Sequence, residues 1–204
     1  MTIKTLFLLS LVALPIQAIA QDLYEAPADP TSSFVRVVAP GETLAVINGT
    51  TFDNFKGGVT PFLLVAPGPI AVAVGSHEGK GEIAPASFYT FAPGADGAMH
   101  MMQDMITNSP AKADLVFYND SDLPLVDLYV PAVSAMALKD IAPGTSRQVS
   151  LKAPLTLDFE VQSGGKTLAL LPGIAMERRA GVTVIFSGTA GTYTAYSTQN
   201  TYAK

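Results

Sequence analysis

The chain has 204 residues, with 49% hydrophobic and 14% charged side chains and a formal net charge of −5. Its acidic residues are scattered and its basic residues form no positive face, so the composition excludes general binding to nucleic acid. Because the sequence has no cysteine, it also excludes disulfides, thiol catalysis and metal held by cysteine.

Residues 1–20 have the pattern of a secretory signal peptide. Lys4 precedes an apolar stretch over 6–16, and Ala18-Ile19-Ala20 forms a small-x-small cleavage site. The stretch is shorter than the roughly 20 apolar residues that span a bilayer, so we expect export without stable membrane insertion. The predicted destination is the bacterial periplasm.

The rest of the sequence predicts an all-β fold of two tandem antiparallel β-sandwich domains. Short β-favouring segments recur between Gly, Pro and Asn turns, and the same order of elements occurs twice. We predict an extended, proline-containing lead-in at 21–33, a first β-sandwich domain at 34–109 and a second at 110–204.

Matching segments carry this repeat. Three pairs of strand-like segments follow the same order, namely 34–38 with 115–119, 70–74 with 155–161, and 88–91 with 182–186. Each half is also predicted to turn at a Gly-Lys pair, which is Gly79-Lys80 in the first half and Gly165-Lys166 in the second.

The paired segments 70–74 and 155–161 differ on one face. In the second segment polar residues alternate with apolar ones, which is typical of a strand with one face in water. In the first segment Ala71 and Ala73 take the polar places. We therefore expect another element or a partner to cover that face.

Two groups of residues could take part in catalysis or metal binding. The pair Ser76 and His77 is the weaker candidate. As a nucleophile and a base they would indicate an esterase or acetyltransferase. Adjacent residues point in different directions, however, and neither Gly-x-Ser-x-Gly nor a Gly-Asp-Ser block occurs. The pair is more typical of a solvated hairpin tip, and we expect a protein that is not an enzyme.

A methionine-rich segment is the second group. Thioether and imidazole ligands suit Cu(I), so one alternative is a periplasmic copper-binding protein. Methionine also fills gaps in cores and adapts to partner surfaces, and this interpretation needs no cofactor. The residues concerned are Met99, His100, Met101, Met102 and Met105.

Two segments carry a resemblance to a known family, Asp22–Pro27 followed by Ser33–Val37, and Met176–Gly188 with its Glu-Arg turn. The first looks like the opening of the AlgF family, the periplasmic accessory proteins of alginate O-acetylation, and the second is similar to that family's Glu-Arg turn and the core strand beyond. This chain departs from the family in the second Arg and the Ala-Gly of that turn, and in the methionine-rich segment.

The resemblance implies tandem β-sandwich domains and a non-catalytic role in passing acetyl groups onto mannuronate residues of an exported polysaccharide. The implied partners are periplasmic O-acetyltransferases, a membrane-bound acyltransferase and the polymer itself. Within the matching segments, the expected partner-binding residues are Arg36, Glu177, Arg178 and Arg179, of which Arg178 and Arg179 would recognise a carboxylate or an acidic partner patch. A solvated mixed-charge turn is the other interpretation of 177–179.

Overall fold

The computed structural model describes residues 29–94, 97–107 and 109–203, and in this part the all-β prediction is confirmed. The signal peptide and most of the lead-in lie outside the described residues. Two short 3₁₀ turns are present, at Lys56–Gly58 and Pro131–Val133. The strands are β1 Ser33–Val37, β2 Leu44–Ile47, β3 Thr50–Asp53, β4 Leu63–Val65, β5 Gly68–Val74, β6 His77–Ile83, β7 Phe88–Pro93, β8 Met99–Asp104, β9 Lys112–Ser121, β10 Val126–Val130, β11 Ala135–Ile141, β12 Thr145–Lys152, β13 Leu155–Ser163, β14 Lys166–Met176, β15 Gly181–Thr189 and β16 Thr192–Gln199.

These strands form four sheets of four strands each. Outer sheet 1 has the order β3-β2-β5-β6 and inner sheet 1 the order β4-β1-β7-β8, while inner sheet 2 is β12-β9-β15-β16 and outer sheet 2 is β11-β10-β13-β14. The second half therefore repeats the first strand for strand. Even the two parallel pairs, β1 with β7 and β9 with β15, are equivalent.

The matching segments of the sequence occupy equivalent strands. The pairs are β1 with β9, β5 with β13, and β7 with β15. β8 ends at Asp104 and β9 begins at Lys112, while the limits 34–109 and 110–204 stay a prediction. Among the described residues, no helix is long and apolar enough to cross a membrane.

The predicted turn at Gly79-Lys80 is wrong. Both residues lie inside β6, opposite Val72 and Ala71, and the chain turns earlier at Gly75-Ser76. A Cβ on Gly79 would overlap Met99. Glycine is used here because a neighbouring strand packs closely over the sheet, which is its other common role in a strand.

Each sandwich has its own apolar core, and a smaller cluster lies between the sandwiches. The first core includes Val35, Val37, Ile47, Val72 and Phe91. The second core includes Leu115, Phe117, Leu128, Phe159 and Val184. The third cluster joins the inner sheets through Val38, Val59, Val116, Tyr118 and Ile185. The four sheets therefore stack as outer 1, inner 1, inner 2 and outer 2.

Candidate functional site

The layer between the inner sheets is organised around Arg36, a fully buried residue of β1. Its neighbours Val35 and Val37 face the first core, so strand alternation turns Arg36 toward the second sandwich. The guanidinium spans both halves of the chain. Its Nε donates to Thr90 Oγ1 at 2.9 Å, its Nη1 to Thr183 Oγ1 at 2.8 Å and Asn200 Oδ1 at 2.9 Å, and its Nη2 to the Tyr118 hydroxyl at 3.1 Å.

Asp104, at the end of β8, balances the charge of Arg36. Its Oδ2 lies 3.7 Å from Arg36 Nη2, and both side chains are fully buried. The hydroxyls of Thr90 and Tyr118 donate to the carboxylate at 2.6 and 2.9 Å. Each of these hydroxyls therefore accepts from the cation and donates to the anion, which closes a ring of charge-assisted hydrogen bonds.

Burial sets the protonation behaviour of this network. It raises the pKa of the Asp104 carboxyl, while Arg36 and the hydroxyls of Thr90 and Tyr118 oppose that shift. Burial also raises the pKa of Tyr118 and thus keeps its hydroxyl protonated as a donor. The Phe62 ring lies 4.3 Å from the guanidinium carbon of Arg36 and adds a cation–π contact.

Two further contacts join the halves around this network. The Phe62 N–H donates to Thr201 O at 2.8 Å, and the Ala203 N–H donates to Phe62 O at 2.8 Å. The Tyr202 ring stacks on Phe62 with centroids 5.6 Å apart. The segment after β16 is therefore paired with the first sandwich as if it were a short added strand.

The connection between the sandwiches is also anchored. Asp114 is buried at the start of β9. It accepts from the Thr107 N–H at 2.8 Å and from the hydroxyls of Thr107 and Ser150. These bonds fix the linker against the second sandwich, so the two halves meet along one defined layer.

The prediction that Arg36 contacts a partner is corrected by its burial. Its donors are used between the sheets, so it is a structural residue of the layer and does not lie on the outer surface. Its partners Asp104, Tyr118, Thr183 and Asn200 were not predicted. The only signal in the sequence was a carboxylate, Asp104, and a phenol, Tyr118, within β-favouring segments.

Glu177, Arg178 and Arg179 form the turn between β14 and β15, and all three side chains are exposed. Arg179 has a positive φ of 60°, and the Ala180 N–H donates to Glu177 O at 3.2 Å to close the turn. Arg178 Nε donates to Ala153 O at 3.0 Å. The structure therefore does not bring Arg36 together with this turn. The charged side chains of the turn lie on the surface.

β8 divides the methionine-rich segment between two faces. Met99 packs against the first core, and Met101 lies over Gly81 on the same face. Met102 packs between the inner sheets, and alternation places His100 on that face. Met105 follows the strand and is 71% exposed. These side chains do not converge on one point, and copper binding by them stays a prediction.

Ser76 and His77 lie where the hairpin between β5 and β6 turns. Ser76 is exposed in the turn, and His77 is the first residue of β6. His77 Nδ1 is 2.9 Å from the carbonyl oxygen of Gly97. This contact ties the ring to the loop before β8, in keeping with the interpretation as a hairpin tip.

Comparisons with known proteins gave structural matches alone. No family model matches the sequence, and no curated protein matches it. The C-terminal domain of AlgF from P. aeruginosa is 18% identical, with 44% of this chain and 99% of that chain covered and a TM-score of 0.40. A candidate cell adhesion protein from Bacteroides ovatus ATCC 8483 is 10% identical, with coverages of 86% and 98% and a TM-score of 0.33.

Proposed function

We propose that this chain is a non-catalytic periplasmic accessory protein that scaffolds the O-acetylation of an exported polysaccharide, with alginate as the polymer. It binds a periplasmic O-acetyltransferase and a membrane-bound acyltransferase component. The observation that carries the proposal is the resemblance of Met176–Gly188 to the Glu-Arg turn and core strand of the AlgF family, in a turn whose charged side chains are exposed here.

The chemistry of this turn supports such a role. The chain is acidic overall, with a net charge of −5, so an anionic polymer or an acidic partner needs a local basic contact. Arg178 and Arg179 are exposed at successive places of the turn, and guanidinium binds carboxylates through paired hydrogen bonds. Both mannuronate and an acidic protein patch supply those carboxylates.

Deletion of the gene tests the proposal most directly. We expect the deletion strain to export polymer with little acetyl content, measured by NMR of the purified polysaccharide, and the wild-type chain to restore it. Undiminished acetylation in the deletion strain would show that the proposal is wrong. Turnover of an acetyl ester by the purified chain alone would show that the non-catalytic role is wrong.

A charge-reversal variant tests the turn itself. Arg178→Glu with Arg179→Glu should weaken co-purification of the O-acetyltransferase about tenfold or more, because hydrogen bonds to charged groups contribute about 1.5–3 kcal/mol. The matched control is Lys139→Glu with Arg147→Glu, which makes the same charge change at two exposed residues elsewhere in the second sandwich. Equal loss in both variants would indicate a general charge effect and would contradict a role for this turn.

A further inference from the structure

The outer face of outer sheet 1 carries an apolar strip formed by Leu44, Val46, Ala71 and Ala73. The side chains that alternate with them on β2 and β5 belong to the first core, so the strip points away from it. Leu44 is 55% exposed and Ala71 is also exposed. The sequence predicted a cover for this face, and within the described residues the strip stays open.

Part of the strip lies in a groove beside the longer side chains of the edge strand β6. Val46 pairs with Ala73 across the two central strands. Outward from this pair, Thr51 lies opposite Val46 on β3 and Glu78 lies opposite Ala73 on β6. The floor is therefore made of small apolar groups, with Glu78 and Lys80 of β6 beside it, and the groove has a volume of about 220 Å³.

The repeat supplies an internal comparison for this face. On β13, which is equivalent to β5, the outward residues include Asp158 and Glu160. Asp158 Oδ1 accepts from the Gly173 N–H at 2.7 Å, and Glu160 accepts from the Thr167 hydroxyl at 2.7 Å. On this strand the second sandwich thus has carboxylates paired within the sheet, and the exposed Leu170 lies opposite Glu160 on the same face. The fold therefore does not require apolar residues at these places of the strand, and contiguous exposed apolar patches mark contact surfaces.

The rim of the apolar strip, formed by charged side chains of β3 and β6, is acidic. Asp53 lies opposite Leu44, Glu78 opposite Ala73 and Glu82 opposite Pro69, while Lys80 lies opposite Ala71. Three carboxylates thus surround the strip with one ammonium group. A second copy docked through the same face would bring acidic rim against acidic rim, since a two-fold interface pairs the same patch with itself. Charge complementarity favours a different partner with a basic rim.

We propose that this face is a docking surface for a partner protein that presents an apolar segment flanked by Lys or Arg side chains. The partner's apolar groups cover Leu44, Val46, Ala71 and Ala73, and its cations face the rim. This surface is separate from the Glu177–Arg179 turn, and the inference does not depend on acetylation of a polymer.

Site-specific photocrosslinking in the native cells tests this inference. A benzophenone amino acid replaces Ala71 in the full-length chain, and the matched control carries it at Asp158, the outward place on the equivalent strand of the second sandwich. We expect an adduct from position 71 with a protein whose crosslinked segment, sequenced by mass spectrometry, is apolar with net positive charge. No adduct, an adduct with a second copy, or a segment of net negative charge would overturn the proposal.

A second variant links the adduct to the charge of the face. With the photocrosslinker at Leu44, the added substitution Ala73→Arg should lower the adduct yield at least tenfold, because like charges placed together across an interface repel each other. Thr156→Arg in the second sandwich should leave the yield unchanged. An unchanged yield with Ala73→Arg in a folded protein contradicts the docking surface. Loss of the adduct would leave the acetylation result of the deletion strain unaffected, so the two proposals fail separately.

Discussion

The interior of each sandwich and the layer between the sandwiches are built on different principles. Each interior is apolar, with Phe91 fully buried in the first and Phe159 in the second. The layer between them combines a few apolar contacts with a closed ring of charged and hydroxyl groups around Arg36 and Asp104. Apolar burial stabilises without direction, whereas the ring needs one alignment of the inner sheets. The cores thus stabilise each half, and the ring fixes how the halves meet.

The largest expected effect comes from breaking the ring on one side. Arg36→Met should lower the free energy of unfolding by about 3–5 kcal/mol, because it leaves the Asp104 carboxylate buried without its cation. Urea unfolding followed by circular dichroism measures the change. A loss below about 1 kcal/mol would show that the buried ring contributes no more stability than an exposed ion pair does.

Removal of both charges tests whether Arg36 and Asp104 are energetically coupled. Arg36→Met with Asp104→Leu should recover at least about 2 kcal/mol of that loss, since apolar groups often replace a buried ion pair without cost. In this variant the Tyr118 hydroxyl can donate to Thr90 instead of Asp104, and the hydrogen bond from Thr183 to Asn200 is kept. If the double variant is as unstable as the sum of its parts, the charges are not coupled and the ring model is wrong.

The pH dependence of the Arg36→Met variant gives a third, smaller effect. Burial already raises the pKa of Asp104, and loss of the opposing Arg36 raises it further. A carboxyl whose folded pKa exceeds its unfolded pKa binds more protons in the folded state between the two values, so the free energy of unfolding falls as pH rises through that window. The variant should therefore lose less free energy of unfolding, relative to the wild type, at about pH 5 than at about pH 7. An equal loss at both pH values would contradict a further rise in the pKa of Asp104.

The smallest effect concerns the segment after β16. Tyr202→Ala should cost about 1 kcal/mol, because the ring packs on Phe34 and Phe62 but is 45% exposed. Leu170→Ala, at a residue 66% exposed on outer sheet 2, should change stability by less than about 0.5 kcal/mol. Thermal unfolding of both variants measures the difference. Equal values would mean that this segment does not help to join the halves.

The sequence predicted the fold well because its signals are local. The alternation of Ile70, Val72 and Val74 is enough to predict β5, and its counterpart in 155–161 predicts β13. Arg36 was misplaced because one arginine in a short strand has the same local pattern on a surface as in a buried layer. Its partners Thr183 and Asn200 lie 147 and 164 residues further along the chain, so no short window contains both sides of these contacts.

The methionine-rich segment and the glycines of β6 show the same limit. The alternation of 99–104 allows a strand, but the cover that Met99 provides for Gly79 depends on the packing of two different sheets. The open face of β5, by contrast, could be anticipated. Ala71 and Ala73 occupy places where the second half uses polar residues, and such a departure between two repeats can be seen without coordinates.

The long separation between Arg36 and Asn200 has a consequence for the newly made chain. Synthesis places Arg36 in the emerging polypeptide 164 residues before Asn200. Until then, the face of inner sheet 1 that awaits the second half carries a guanidinium group as well as Val38 and Met102. A charged side chain on that unpaired face hinders aggregation of incompletely synthesised chains, which is a common hazard for tandem β proteins during synthesis.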